Sequence, residues 1–174
     1  MSTLVLSGSG NFIRTSEIRN PNGTLAIGIE SNGVVTYPQR PYFYGWRNVT
    51  EGWENFGTTA VNYVYNIVSL NIGNSYNSST GIFTCPVAGV YMVHPGGIGG
   101  QGGGYGYFYV FKNGVNVSAR GIHFNANGYN LWPYTSQVFA VNCAANDQLN
   151  VRVLTGSASV YGAEHSHCSI WFHG

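Results

Sequence analysis

Turn-forming residues recur about every ten positions along this chain, and the apolar residues between them alternate instead of falling at helical spacing. Asn22-Gly23, Asn32-Gly33, Gly73-Asn74-Ser75, Ser78-Ser79-Thr80-Gly81 and Asn113-Gly114 are turn chemistry. Gly and Asn accept positive φ, and Ser and Thr bond locally to the backbone. From Asn66 to Tyr91 the chain reads as a strand, a turn and a second strand, with Pro86 confined to a strand edge or bulge because it has no N–H for a ladder. Tyr105, Tyr107, Tyr109 and Phe111 alternate with Gly106, Phe108 and Val110, a buried strand. Further short strands are expected at 115–119, 122–124, 129–132, 137–141, 149–154 and 157–161. No helical period survives over about eleven residues, so the fold class is all-β, a sandwich with almost no helix.

Only 7% of the 174 residues are charged, against about 25% in ordinary soluble domains. So few charges suit a chain that buries much of its surface in an oligomer. The net charge is +1, with no cluster of Lys or Arg, so no nucleic-acid footprint is present. No apolar run approaches the about 18 residues of a membrane span. The start, MSTLVLSGSGNF, has no basic region before its apolar residues, so no signal peptide is expected. Cys85, Cys143 and Cys168 show no C-x-x-C spacing and read as buried reduced thiols, with a Cys85–Cys143 or other disulfide as the alternative.

The run from Asn71 to Tyr91, N-I-G-N-S-Y-N-S-S-T-G-I-F-T-C-P-V-A-G-V-Y, resembles the centre of the C1q-like domain family. Other motifs match in order. Gln39-Arg40-Pro41-Tyr42-Phe43 resembles the family's first strand, and Tyr109 to Gly114 its Lys-Asn-Gly hairpin. Asn146-Asp147-Gln148-Leu149 resembles its Gly-Asp turn, and Cys168 to Phe172 its last strand. The resemblance covers residues 39–174 and implies a jelly-roll head assembled as a compact homotrimer, as in the tumour-necrosis-factor group. Residues 1–38 read differently: Thr3–Leu6, Asn11–Ile13, Leu25–Ile29 and Val34–Thr36 are short extended pieces between Gly-rich turns. They resemble the strand collars that precede head domains in bacteriophage fibre proteins. Strands too short to pack within one chain can pack around a three-fold axis. The Gly-rich segment 95–106 is expected to be a loop at one end of the sandwich. It is no phosphate loop, since neither Lys nor a helix follows it.

Catalysis needs a nucleophile with its base, or paired carboxylates. Glu17, Glu30, Glu51, Glu54, Asp147 and Glu164 are scattered, so no enzyme and no cofactor are expected. Calcium needs several carboxylate oxygens and finds no acidic cluster. His165 and His167 are the one spacing with metal potential, because i and i+2 on a strand share a face. In the resembled fold the last strand faces the three-fold axis, so three copies could gather six imidazoles; the alternative is a hydrogen-bonded or solvent-facing pair. Exposed rings beside amides suit sugar faces. The candidate ligand-binding residues are Tyr105, Asn127, Tyr129, Trp132 and Tyr134, or else these rings pack in the core or between subunits. The expected function is a non-enzymatic fibre or spike tip on the virion surface. Its partners are its own copies, a host-surface glycan or protein, and other virion proteins, with no membrane insertion. The alternatives are a secreted recognition, lectin or signalling module, favoured if the sequons at Asn22, Asn48, Asn77 and Asn116 are occupied, and a purely structural decoration protein.

Overall fold

The computed structural model describes residues 17–49, 52–100, 104–126, 133–156 and 158–174. The chain divides into two compact units, Met1–Gln39 and Arg40–Gly174. The described part of the first is a three-stranded antiparallel sheet of β1 (Glu17–Arg19), β2 (Leu25–Ile29) and β3 (Val35–Thr36). Its turns are the two Asn-Gly sites, with Gly23 at φ 85° and Gly33 at φ 83°, where a side chain would be strained. Gly23 N–H donates to Asn20 at 2.9 Å and Gly33 N–H to Glu30 at 2.8 Å. Ile29, Val34, Val35 and Tyr37 stay exposed, while Leu25, Ala26 and Ile27 are half-buried. The expected pieces at 3–6 and 11–13 lie outside the described residues.

The second unit is a sandwich. Its strands are β4 (Tyr42–Trp46), β5 (Trp53–Glu54), β6 (Val61–Asn62), β7 (Ile67–Ile72), β8 (Tyr76–Asn77), β9 (Ile82–Thr84), β10 (Gly89–Gly100), β11 (Gly104–Lys112) and β12 (Val115–Asn116). Then follow β13 (Ile122–Ala126), β14 (Tyr134–Ser136), β15 (Phe139–Cys143), β16 (Gln148–Leu154), β17 (Ser159–Tyr161) and β18 (His167–Phe172). One sheet runs β5-β17-β10-β18-β4-β7, with β14 and β15 also on β10. The other runs β12-β11-β16-β9-β8, with β13 on β11 and β6 on β16. Every pairing is antiparallel, and no helix occurs among the described residues. Between the sheets lie Phe43, Tyr63, Tyr65, Phe83, Tyr91, Phe108, Leu149 and Ile170, all fully buried. Each such side chain contributes about 1.5–3 kcal/mol through its removal from water. Cys85, Cys143 and Cys168 are buried free thiols in this core.

The stretch from Asn66 to Tyr91 is not one hairpin. β7 pairs with β4 in the first sheet, whereas β9 pairs with β8 and β16 in the second. The chain therefore changes sheets at Gly73-Asn74-Ser75. The side chain of Asn71 braces the crossing: its amide nitrogen donates to Tyr76 O at 2.9 Å and its oxygen accepts from Tyr76 N–H at 3.0 Å. Pro86 lies in the bend between β9 and β10.

The Gly-rich segment corrects the expected loop. Pro95 to Gly100 form the second half of β10, the long central strand. On one edge β10 pairs with β18 and then β17. On the other edge β15 and β14 share one register, interrupted at Gln137 and Val138, opposite Pro95 and His94. The gap falls where Pro95 has no N–H to give; its carbonyl still accepts from Gln137 N–H at 3.4 Å. The missing side-chain volume comes from neighbours. Phe124 pairs with Gly106 across the second sheet, and its ring also covers Gly99 of the first. Similarly, Tyr134 and Ser136 fill the space at Gly96, and Ser166 and Phe108 that at Gly97. The expected loop is strand instead, and its glycines are places of close approach.

Candidate functional site

With the core accounted for, two outer sheet faces remain. On the first sheet, residues alternate with the buried Phe43, Gly45, Cys168 and Ile170. Register puts Tyr42, Tyr44 and Trp46 beside Trp171, Ser169 and His167, and these beside Met92, His94 and Gly96. Tyr42 stacks on Trp171 at 6.5 Å and Tyr44 lies 6.1 Å from Trp46. Leu70, also on β7, is 47% exposed. None of β4, β7, β10, β14, β15 and β18 contains an Asp, Glu, Lys or Arg. The indole N–H of Trp46 is buried with no acceptor among the described residues.

The histidines sit on this face and its rim. β18 begins at His167, so His165 belongs to the preceding loop and does not share the strand face expected of it. Its ring lies 5.2 Å from Tyr161, while that of His167 lies 5.5 Å from Tyr134. Ser166, between them, is buried, and its hydroxyl donates to Tyr161 O at 3.1 Å. Burial, then the nearby His94 and His165, holds the His167 imidazole below its usual pKa. Among the described residues no three of His, Cys, Asp and Glu are placed to hold a metal ion.

On the second sheet, Gly106, Phe108 and Val110 point inward, and Tyr105, Tyr107, Tyr109 and Phe111 point outward. Successive centroids along this row are 5.7, 5.4 and 6.5 Å apart. His123 on β13 lies 5.0 Å from Tyr107, and the Arg152 guanidinium on β16 is 4.1 Å from the Phe111 ring. Burial, then the phenols of Tyr107 and Tyr105, raises the Tyr109 pKa, so Tyr109 is neutral at ordinary pH.

The candidate ligand residues are not gathered in one place. Tyr105 is on the outer face of the second sheet and Tyr134 on that of the first, so the two look away from each other. Asn127, Tyr129 and Trp132 lie outside the described residues. Sequence reading placed Tyr107, Tyr109 and Phe111 in the core. Strand alternation was the available signal, since these three share a face with Tyr105, opposite Phe108 and Val110, and only one face can meet the other sheet. Trp53 and Glu54 form the short edge strand β5, where Glu54 accepts from both Arg47 Nε and Nη2 at 2.6 Å.

Two antiparallel sheets packed face to face, with strands consecutive in sequence crossing between them, define a jelly-roll sandwich. The family model of the C1q domain matches residues 51–169, more than half of the chain, and the chain belongs to that family. The globular domain of zebrafish complement 1qA matches at TM-score 0.58 and 16% identity, covering 78% of this chain and 98% of that one. Murine APRIL matches at TM-score 0.59 and 8% identity, covering 77% and 99%. The Eiger TNF of S. frugiperda matches at TM-score 0.55 and 13% identity, covering 78% and 94%. At these identities the likeness is one of fold. No curated protein matches in sequence.

Proposed function

We propose that the chain is a non-enzymatic recognition head: a homotrimer at the tip of a virion fibre or spike that binds a receptor on the host surface. The observation that carries the reading is the outer face of the first sheet, an aromatic and uncharged surface centred on Tyr42, Trp171 and Met92. Large apolar faces on soluble proteins mark association sites. The 7% charge content fits burial of this face in an oligomer. The first unit's short strands leave Ile29, Val34, Val35 and Tyr37 exposed, which supports a collar whose pieces pack between copies. Three identical sites on one rigid body would turn weak contacts into strong attachment through high effective concentration.

The three solved structures above come from zebrafish, mouse and S. frugiperda, and this favours a second reading, a secreted recognition or signalling module. Glycans on Asn22, Asn48, Asn77 or Asn116 of protein taken from its natural source would select it. The test of the first reading is adsorption. Purified head in excess should block attachment of the parent particle to its host cells. Unchanged attachment in the presence of a folded trimer would reduce the protein to a structural part of the particle.

A further inference from the structure

Four rings in line on a strand normally lie under another layer, because aromatic surface gains most from burial. Here the row Tyr105, Tyr107, Tyr109 and Phe111 lies on the outer side of the second sheet, and Tyr105 is 54% exposed. Tyr107 and Tyr109 stack on each other with an interplanar angle of 21°. Exposed His123 and Asn125 border it on β13, paired with Tyr107 and Tyr105. Arg152 borders it on β16, opposite Tyr109.

The charge on this sheet is one-sided. Its strands β6, β8, β9, β11, β12, β13 and β16 contain no Asp or Glu, and Lys112 and Arg152 are their cations. Lys112 is engaged, 3.6 Å from Asp147 and donating to Asn142 O at 3.0 Å. Arg152 has no carboxylate partner among the described residues, and its Nε is buried with no acceptor. The half-buried Arg152 guanidinium, 4.1 Å from the Phe111 ring, is the cation this face offers to a carboxylate. Ring faces beside it take the C–H faces of a pyranose, and phenol, imidazole and amide groups take its hydroxyls.

We propose that the row from Tyr105 to Phe111, with Arg152 at its Phe111 end, is a binding site for an acidic saccharide. Tyr107 and Tyr109 stack on the sugar rings, Arg152 holds the carboxylate, and His123 and Asn125 bond hydroxyls. One open cation on the described strands of this sheet, in a chain of net charge +1, is too little for a phosphate backbone, which needs a series of them. The site deepens the recognition reading above by naming the chemistry of the receptor, and it rests on that reading for its biological sense.

The test uses the full chain on a panel of immobilised oligosaccharides. Hexuronic and sialic acid members are paired with their methyl esters, which keep the ring faces and remove the charge. The wild type should hold the acids about tenfold or more tightly than the esters, the worth of one good charge-assisted pair. Arg152→Gln should erase that preference while leaving weak binding to both. Tyr105→Ala, at the most exposed ring, should weaken acid and ester alike, and its melting curve shows whether the fold is kept. A panel in which no acid is preferred over its ester overturns the proposal, as does a preference that survives Arg152→Gln. If Tyr105→Ala instead lowers the mass of the assembly, the row is an interface between copies and the proposal falls. Acid binding by a monomer would keep this site and sink the trimer; a trimer that blocks particle attachment yet ignores acids would sink this site alone.

Discussion

Adding a single methyl group at Gly99 should destabilise this protein measurably. A Cβ there would overlap three atoms of the Phe124 ring, the farthest at 2.8 Å. The ring cannot withdraw, because its other side rests on Gly106, where a Cβ would meet the same ring and Leu154 O at 2.8 Å. Overpacking a confined site costs about 1–3 kcal/mol, and a ring held on both sides belongs at the upper end, about 3. Ala in place of Gly returns about 0.4–1 kcal/mol by restricting the unfolded chain. The net for Gly99→Ala is then a loss of about 2 kcal/mol, or about 4–8 °C in Tm for a domain of this size. Thermal unfolding at one fixed protomer concentration reads it, since association makes Tm depend on concentration. Gly99→Ala combined with Phe124→Leu should cost less than the sum of the two, because the smaller side chain makes room for the methyl. A Tm within 1 °C of wild type for Gly99→Ala, or strict additivity in the double variant, would refute the idea that the Gly-rich strand exists to seat this ring.

Other consequences can be measured on the same protein. Arg47 joins Glu54 through two hydrogen bonds, donates to Val64 O at 3.0 Å and lies over Tyr63. Arg47→Met should therefore cost about 3 kcal/mol, the low end for a buried pair because both partners keep some exposure, and adding Glu54→Leu should recover most of it in denaturant titration. Because His167 binds its proton less readily folded than unfolded, the unfolded state takes up more protons below about pH 6.5. Stability should hold above that pH and fall as pH drops below it, and His167→Gln should flatten the acid slope; an unchanged slope would remove His167 from the account. Burial pushes the thiols of Cys85, Cys143 and Cys168 up, so none should react with a thiol reagent at neutral pH until denaturant is added. Rapid labelling of native protein would contradict the packed core.

The architecture was legible because alternation and turn chemistry are local. Asn22-Gly23, Asn32-Gly33 and Asn113-Gly114 turn the chain where their φ tolerance predicts, and residues 51–169 match one family. What sequence could not supply was non-local. Gly96, Gly97 and Gly99 read as a loop because their volume is provided by Tyr134, Ser166 and Phe124, residues 25 or more positions away in sequence. β11 carries rings on either face, four on one and Phe108 on the other, and only pairing with β16 and β13 decides that Phe108 goes in and Tyr107 out. The break at Gln137 and Val138 is set by a proline 42 residues earlier in the chain, on the neighbouring strand. The candidate site shared the same fate: Tyr105 was visible as a ring beside glycines, whereas Arg152 enters only through cross-strand register.

The most direct test of the central claim is the solution mass of the protein by light scattering, for the wild type and for Trp171→Arg. Three copies packed through the first sheet's outer face predict a wild-type mass three times 18.8 kDa that does not change on dilution into the micromolar range. The buried charge in Trp171→Arg should reduce it to a single chain. A wild type that runs as a folded 18.8 kDa monomer, or a trimer indifferent to Trp171→Arg, would contradict the account.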